Sequence, residues 1–266
     1  MRLEDLPALF SVGDGVFFDI GANIGHVAIP LCRKYPNLRV VAFEAVPEIF
    51  SALSINIRNA NASNCFAVNR IVSERSGFSK ISYSLKSPFL GAGTIVDDLA
   101  NEARLGKNFL CATVESETLD SFCHRMKVYP DIIKIDVEGA ESHVVKGGFQ
   151  VISKVVPVIY AECGFGISKS MDQIRLSYLN LLEELGYRLY LVDLSMINGV
   201  WLKRPWESLK FRCRVHAVDL SSHKNGECTC LGNLLCVPQN FKDLYEQGRQ
   251  VCELNELLRF LQTEWI

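Results

Sequence analysis

The stretch Val16-Phe-Phe-Asp-Ile-Gly-Ala-Asn-Ile-Gly25 constrains the fold of this chain more than any other. Val16, Phe17 and Phe18 read as a buried strand, and Asp19 is expected to end it. Gly21 and Gly25 bracket a turn, after which Val27-Ala-Ile29 and Leu31 continue at helical spacing. A strand–turn–helix unit of this kind lets backbone N–H groups approach a ligand without interference from Cβ atoms. Dinucleotides and S-adenosylmethionine are both bound this way, and the glycine spacing separates them. A dinucleotide site uses G-x-G-x-x-G, whose second glycine admits the pyrophosphate. Here that position is Asn23 and the pattern is D-x-G-x-x-x-G. Asp19 would repel a pyrophosphate and suits the ammonium of a methionine moiety. The expected cofactor is S-adenosyl-L-methionine.

At 266 residues the chain is long enough to bury a large core without disulfides or structural metals. Lys and Arg number 28 against 30 Asp and Glu, a net charge of −2 that disfavours a dedicated nucleic-acid binder. Met1-Arg-Leu-Glu-Asp-Leu-Pro7 has no apolar segment of the secretory kind, and no run of ~18 apolar residues is present. The expectation is a cytoplasmic protein without a membrane span. The 10 cysteines include no C-x-x-C pair, and several lie in apolar stretches, as reduced buried cysteine does. Cys213, His216, His223, Cys228 and Cys230 match no standard zinc spacing, and an ordinary loop is expected there.

From residue 16 to about 162, short apolar runs alternate with helical segments, which predicts a parallel sheet covered on both faces. Arg39–Glu44, Cys65–Asn69, Ile132–Val137 and Val155–Glu162 are the further strands expected. Helices are expected over Pro47–Asn59, from Thr118, over Glu141–Ile152, and over Gln173–Leu185 with Gly186 as its stop. Arg188–Val192 and Asn233–Val237 form a closing antiparallel pair. The fold class is therefore α/β: a doubly wound, mostly parallel sheet with a C-terminal antiparallel pair. One domain over 1–266 is expected, with its core in 16–192 and 233–238. Residues 73–112, rich in Ser and Gly, and 195–232, which hold Trp201 and Trp206, read as irregular insertions covering a substrate.

Acidic residues gather where such a sheet binds ligands, at the carboxyl ends of its strands. Glu44 follows the second strand and can accept both ribose hydroxyls of an adenosine, or be only a solvated strand end. Asn69, after the third strand, can pair with an adenine edge, although turns also favour Asn. In Ile133-Lys-Ile-Asp-Val-Glu-Gly-Ala-Glu141, Asp136 and Glu138 would share a face if the strand runs that far. A structural alternative gives Glu138 to the next helix N-terminus and Asp136 to the turn. Glu162 adds an acid at the end of the fifth strand.

D-I-G-A-N-I-G, the downstream I-K-I-D-V-E-G-A-E and the intervening T-L-D-S-F together resemble the FkbM-type methyltransferase family over residues 16–163. The resemblance implies a class I, Rossmann-like methyltransferase domain using S-adenosylmethionine, usually to O-methylate a small molecule or glycan. It places Asp19, Gly21, Asn23 and Gly25 along the methionine part of the cofactor; Ala22 in the same turn is a further cofactor-binding candidate. It places Glu44 on the ribose and Asp136 beside the reacting methyl. The 195–232 stretch and the short N-terminal lead depart from the family pattern, so its substrates do not transfer.

Removal of a proton from an acceptor hydroxyl falls to Glu138 or Glu162, with His143 third; His26 reads as a cofactor neighbour. A divalent cation on Asp136, Glu138 and Glu162 is the alternative way to activate a hydroxyl. No N-P-P-Y or D-P-P-Y follows the fourth strand and no Pro-Cys occurs, which disfavours base methylation. Two rivals stay open: an RNA ribose 2′-O-methyltransferase, for which Lys134, Asp136, Lys146 and Glu162 supply residue types, and a catalytically silent binding protein. A nicotinamide dehydrogenase is disfavoured by Asn23.

Overall fold

Five parallel strands, in the order β9-β8-β1-β2-β3, build the sheet that carries the glycine turn in the computed structural model. They are β1 (Val16–Ile20), β2 (Arg39–Phe43), β3 (Cys65–Val68), β8 (Ile132–Ile135) and β9 (Val158–Gly164). The structure describes residues 3–83, 93–95, 110–164, 169–195, 212–217 and 231–238. These fall into two compact units, residues 12–161 and residues 1–11 with 162–266.

Strand β1 is central because nearly every residue of it is apolar and buried. Asp19 is the exception: it lies inside the strand, wholly buried and paired in register with Ala42 and Lys134, and does not end it. The pleat turns Phe18 and Asp19 to opposite faces. On the Phe18 face, Phe18, Phe43 and Phe122 meet edge to face, with ring centroids 4.8–5.8 Å apart.

Helix α2 (Ala28–Lys34) follows the glycine turn, and α3 (Pro47–Asn59) follows β2. Pro30 and Pro47 sit in first turns, where a missing N–H costs no intrahelical bond. Helix α4 (Leu119–Met126) starts as the sequence predicts: the Thr118 hydroxyl accepts the Ser121 N–H at 3.0 Å. The helix expected over Glu141–Ile152 is two helices, α5 (Glu141–Gly147) and α6 (Phe149–Val155), joined at Gly148. Gly147 packs so closely on the Ser73 carbonyl that a Cβ there would overlap it. The fifth strand consequently begins at Val158, later than expected, after Val156 in a left-handed conformation (φ 55°).

A second, small sheet occupies part of the stretch expected to be irregular. It comprises β4 (Ile71–Val72), β5 (Gly77–Tyr83), β6 (Gly93–Ile95) and β7 (Leu110–Glu117), ordered β4-β7-β5-β6. Ile71, Ile81, Tyr83 and Val114 from this sheet pack with Val46 and Ile49 of the β2–α3 region. Arg70 ties its edge down through ion pairs with Glu115 and, at 3.1 Å, Glu117. Residues 84–92 and 96–109 of the same stretch lie outside the described residues.

In the other unit, the short helix α1 (Leu6–Leu9) precedes α7 (Lys169–Glu184), which begins earlier than expected and is followed by Gly186 at φ 83°. β10 (Tyr187–Ser195) pairs antiparallel with β12 (Leu231–Pro238), the closing pair read from the sequence. It also pairs with β11 (Arg212–Ala217), a strand inside the segment expected to be irregular. Trp201, Trp206, His223, Cys228 and Cys230 lie outside the described residues.

Candidate cofactor site

Backbone donors at the end of β1 are spent on β2, and this shapes the turn. The N–H groups of Gly21 and Ala22 both donate to the Phe43 carbonyl, at 3.0 and 2.8 Å. Gly21 has φ 81°, and a Cβ on it would run into the Asp136 carbonyl oxygen, so no other residue fits. Asn23 also takes a left-handed conformation (φ 51°), which Asn tolerates better than most residues. Its Oδ1 accepts the Ile24 N–H at 2.8 Å.

Glu44 closes the turn from the β2 side. Its Oε2 accepts the Asn23 N–H and its Oε1 the Val46 N–H, each at 2.9 Å. Burial pushes the Glu44 carboxyl above its ordinary range, against the two backbone donors and the Lys134 charge, which pull it down. Each oxygen keeps acceptor capacity beyond its backbone bond. Asn69, expected on an adenine edge, is placed differently. Its Nδ2 donates to the carbonyls of Glu44 and Ala45 at 2.8 and 3.0 Å. It borders a separate groove with Phe66, Phe122 and Met126, not the pocket at the glycine turn.

The pocket at the turn brings Gly21, Ala22, Asn23 and Glu44 together with Asp136 and Glu138. Gly25 shapes the turn from behind, its N–H donating to the Ala22 carbonyl at 3.0 Å. Asp136 follows β8 directly, and its backbone N–H donates to Ile20 at 3.0 Å. The strand ends at Ile135, and Glu138 sits at φ 54° in the turn beyond. Asp136 and Glu138 therefore do not share a strand face, although both border the pocket. Asp19 stands beneath the turn, where its Oδ1 meets the Lys134 ammonium at 3.0 Å.

Lys134, which the sequence offers only as a residue type for the RNA ribose rival, belongs to this site; a lysine in the apolar run I-I-K-I must find anionic partners when buried. Its ammonium lies 3.2 Å from Asp136 Oδ2 and donates to the Gly21 carbonyl at 2.9 Å, in addition to Asp19. Burial works against its charge, and the two carboxylates outweigh burial, so its pKa stands above the ordinary lysine value. Sequence reasoning missed Arg70 and the apolar lining from Ile71, Val72 and Ile81, which depend on the small sheet.

Of the other candidates, His26 borders the pocket, whereas His143 does not and lies 3.6 Å from Glu74. Glu162 falls within β9, which continues to Gly164, and its side chain lies outside the described residues, as does any cation site including it. Among the described residues, no group of three or more His, Cys, Asp or Glu side chains is arranged to hold a metal ion. No helix among them is long and apolar enough to cross a membrane.

The model of the methyltransferase FkbM domain matches residues 19–189, from the buried aspartate of β1 into β10. The chain belongs to the FkbM methyltransferase family. Its α/β architecture is mostly parallel, with antiparallel C-terminal strands. It is 29% identical over 171 residues to the 2-O-methyltransferase NoeI of Sinorhizobium fredii, covering 60% of this chain and 67% of that protein. It is 30% identical over 155 residues to methyltransferase sdnD of Sordaria araneosa, covering 48% of this chain and 58% of the relative. A crystal structure of methyltransferase FkbM from Methylobacillus flagellatus aligns with 20% identity and a TM-score of 0.46, over 67% of this chain and 40% of that one.

Proposed function

We propose that the protein is an S-adenosylmethionine-dependent methyltransferase acting on a hydroxyl of a small molecule or glycan. The observation that carries this reading is the pairing of Glu44 with the glycine turn. A carboxylate already fixed by Asn23 and Val46 presents its remaining lone pairs beside a backbone with no room for a Cβ at Gly21. That arrangement fits the ribose and methionine parts of an adenosyl amino acid. The 2-O-methyltransferase name of one relative supports oxygen as the target atom.

The cofactor, when bound, supplies an activated methyl on a cationic sulfur. The chain's own residues then have positioning, charge and proton work to do. Glu44 holds the ribose hydroxyls, and the turn from Gly21 to Gly25 holds the methionine end. Asp136 sets a negative charge beside the cationic centre. Glu138, which borders the same pocket, takes the acceptor's proton; Glu162 is the second candidate for that step. The near-neutral charge balance favours a small acceptor over nucleic acid.

Incubation with cell extract and methyl-labelled S-adenosylmethionine, followed by identification of labelled products, tests the reading. The expected product carries the label on oxygen. Asp136→Ala should abolish labelling while the variant stays folded; unchanged labelling would refute the assignment.

A further inference from the structure

Three acceptor groups surround the ammonium of Lys134: it donates to the Gly21 carbonyl and is ion-paired with Asp19 Oδ1 and Asp136 Oδ2. These acceptors belong to three different pieces of the site. Asp19 is in the middle of β1, Gly21 opens the turn, and Asp136 follows β8. Asp19 is wholly buried, and neither of its carboxylate oxygens has a hydrogen-bond partner among the described residues, so the Lys134 ammonium holds it as an ion pair. Asp136 is different: its side chain remains 37% exposed and borders the pocket. A fully buried carboxylate thus anchors the cation at one end, and the cation holds a pocket-facing carboxylate at the other.

We propose that Lys134 is a positioning residue for methyl transfer: anchored by Asp19 and the Gly21 carbonyl, its ammonium fixes the Asp136 carboxylate beside the cationic centre of the cofactor. The proposal rests on the cofactor reading above. A carboxylate free to rotate into water would spread its charge over several positions. One pinned by a buried ammonium presents it at a fixed place, which distinguishes a cationic ligand from a neutral one of the same shape. The three ionised groups sum to one negative charge, which complements a single positive centre. Asp19 contributes as the anchor and not as the contact, which explains why an acid in the glycine-turn motif is wholly buried.

The test compares two ligands in the full chain by calorimetry. S-adenosylhomocysteine is neutral at the sulfur, whereas sinefungin carries an ammonium where the cofactor carries its methyl. Wild-type protein should prefer sinefungin. The double variant Asp19→Asn with Lys134→Met leaves Asp136 as the single charge of the trio, so the net charge is unchanged and no buried anion is orphaned. It should lose the preference by about tenfold or more, with a much smaller change for S-adenosylhomocysteine. Lys134→Arg, which retains the cation at a different reach, should lower the preference in the same direction and serves if the double variant does not fold. Parallel weakening of both ligands, or an unchanged preference in a folded variant, would reduce Lys134 to a structural role and overturn the proposal. Failure of the wild type to bind either ligand would instead overturn the cofactor reading itself.

Discussion

The Glu44 carboxylate accepts the backbone N–H of Asn23 at 2.9 Å, joining positions 21 residues apart. The residue proposed to hold the ribose is therefore also the one that fixes the glycine turn. Replacing it disturbs both tasks. Glu44→Gln turns one acceptor oxygen into an NH₂ donor, which cannot serve both the Asn23 and Val46 N–H groups. The expected cost is about 1 kcal/mol of stability, because loss of a hydrogen bond is partly offset by removal of a buried charge. Affinity for S-adenosylhomocysteine should fall at least tenfold. Thermal melts and calorimetric titration of the variant check both.

Acid should weaken cofactor binding through the same side chain. Burial raises the folded-state pKa of Glu44 above 4.5. The fold thus favours the protonated form, so the Glu44 contribution to stability is fully present below the unfolded pKa and is lost as pH rises through the folded value. Ligand affinity runs the opposite way, because only the carboxylate accepts at both oxygens. Titrations from pH ~7 down to ~4 should show S-adenosylhomocysteine affinity declining before an unperturbed glutamate would protonate. That acid limb should be absent in Glu44→Gln.

Gly21→Ala should abolish binding and also cost stability, because its Cβ meets backbone and not a flexible side chain. The added Cβ meets the Asp136 carbonyl at φ 81°, so both the turn and the end of β8 must shift. Overpacking of this kind costs ~1–3 kcal/mol. Calorimetry with S-adenosylhomocysteine and a thermal melt would separate the two effects. Retained affinity would mean that the turn does not contact the ligand.

Asn69→Ala distinguishes a ligand contact from a scaffold role. Asn69 holds the carbonyls of Glu44 and Ala45, so its loss should lower stability by ~1 kcal/mol through two lost, half-buried hydrogen bonds. Affinity should fall less than in Glu44→Gln, because the carboxylate keeps both backbone donors. A larger loss of affinity than of stability would restore a direct adenine contact for Asn69.

The parts of the site that were legible from sequence are those written locally. β1, its glycine turn and α2 follow from an apolar run, left-handed positions and helical spacing within a few residues. Asp136 was legible because an acid ending an apolar strand is conspicuous. What escaped depends on contacts distant in sequence. Lys134 gains meaning only when β1 and β8 lie side by side and bring Asp19 to it. The small sheet was hidden because β5 and β7 are rich in Ser, Thr, Gly and Glu, residues that read as loop until they pair. The split at Gly148 was hidden because the close approach of Gly147 to Ser73 lies outside any local window.

Titration of S-adenosylhomocysteine into the folded wild-type chain tests the central claim most directly. Saturable one-to-one binding that Gly21→Ala abolishes is the expected result. A flat titration, with circular dichroism and a cooperative melt showing the protein to be folded, would contradict it.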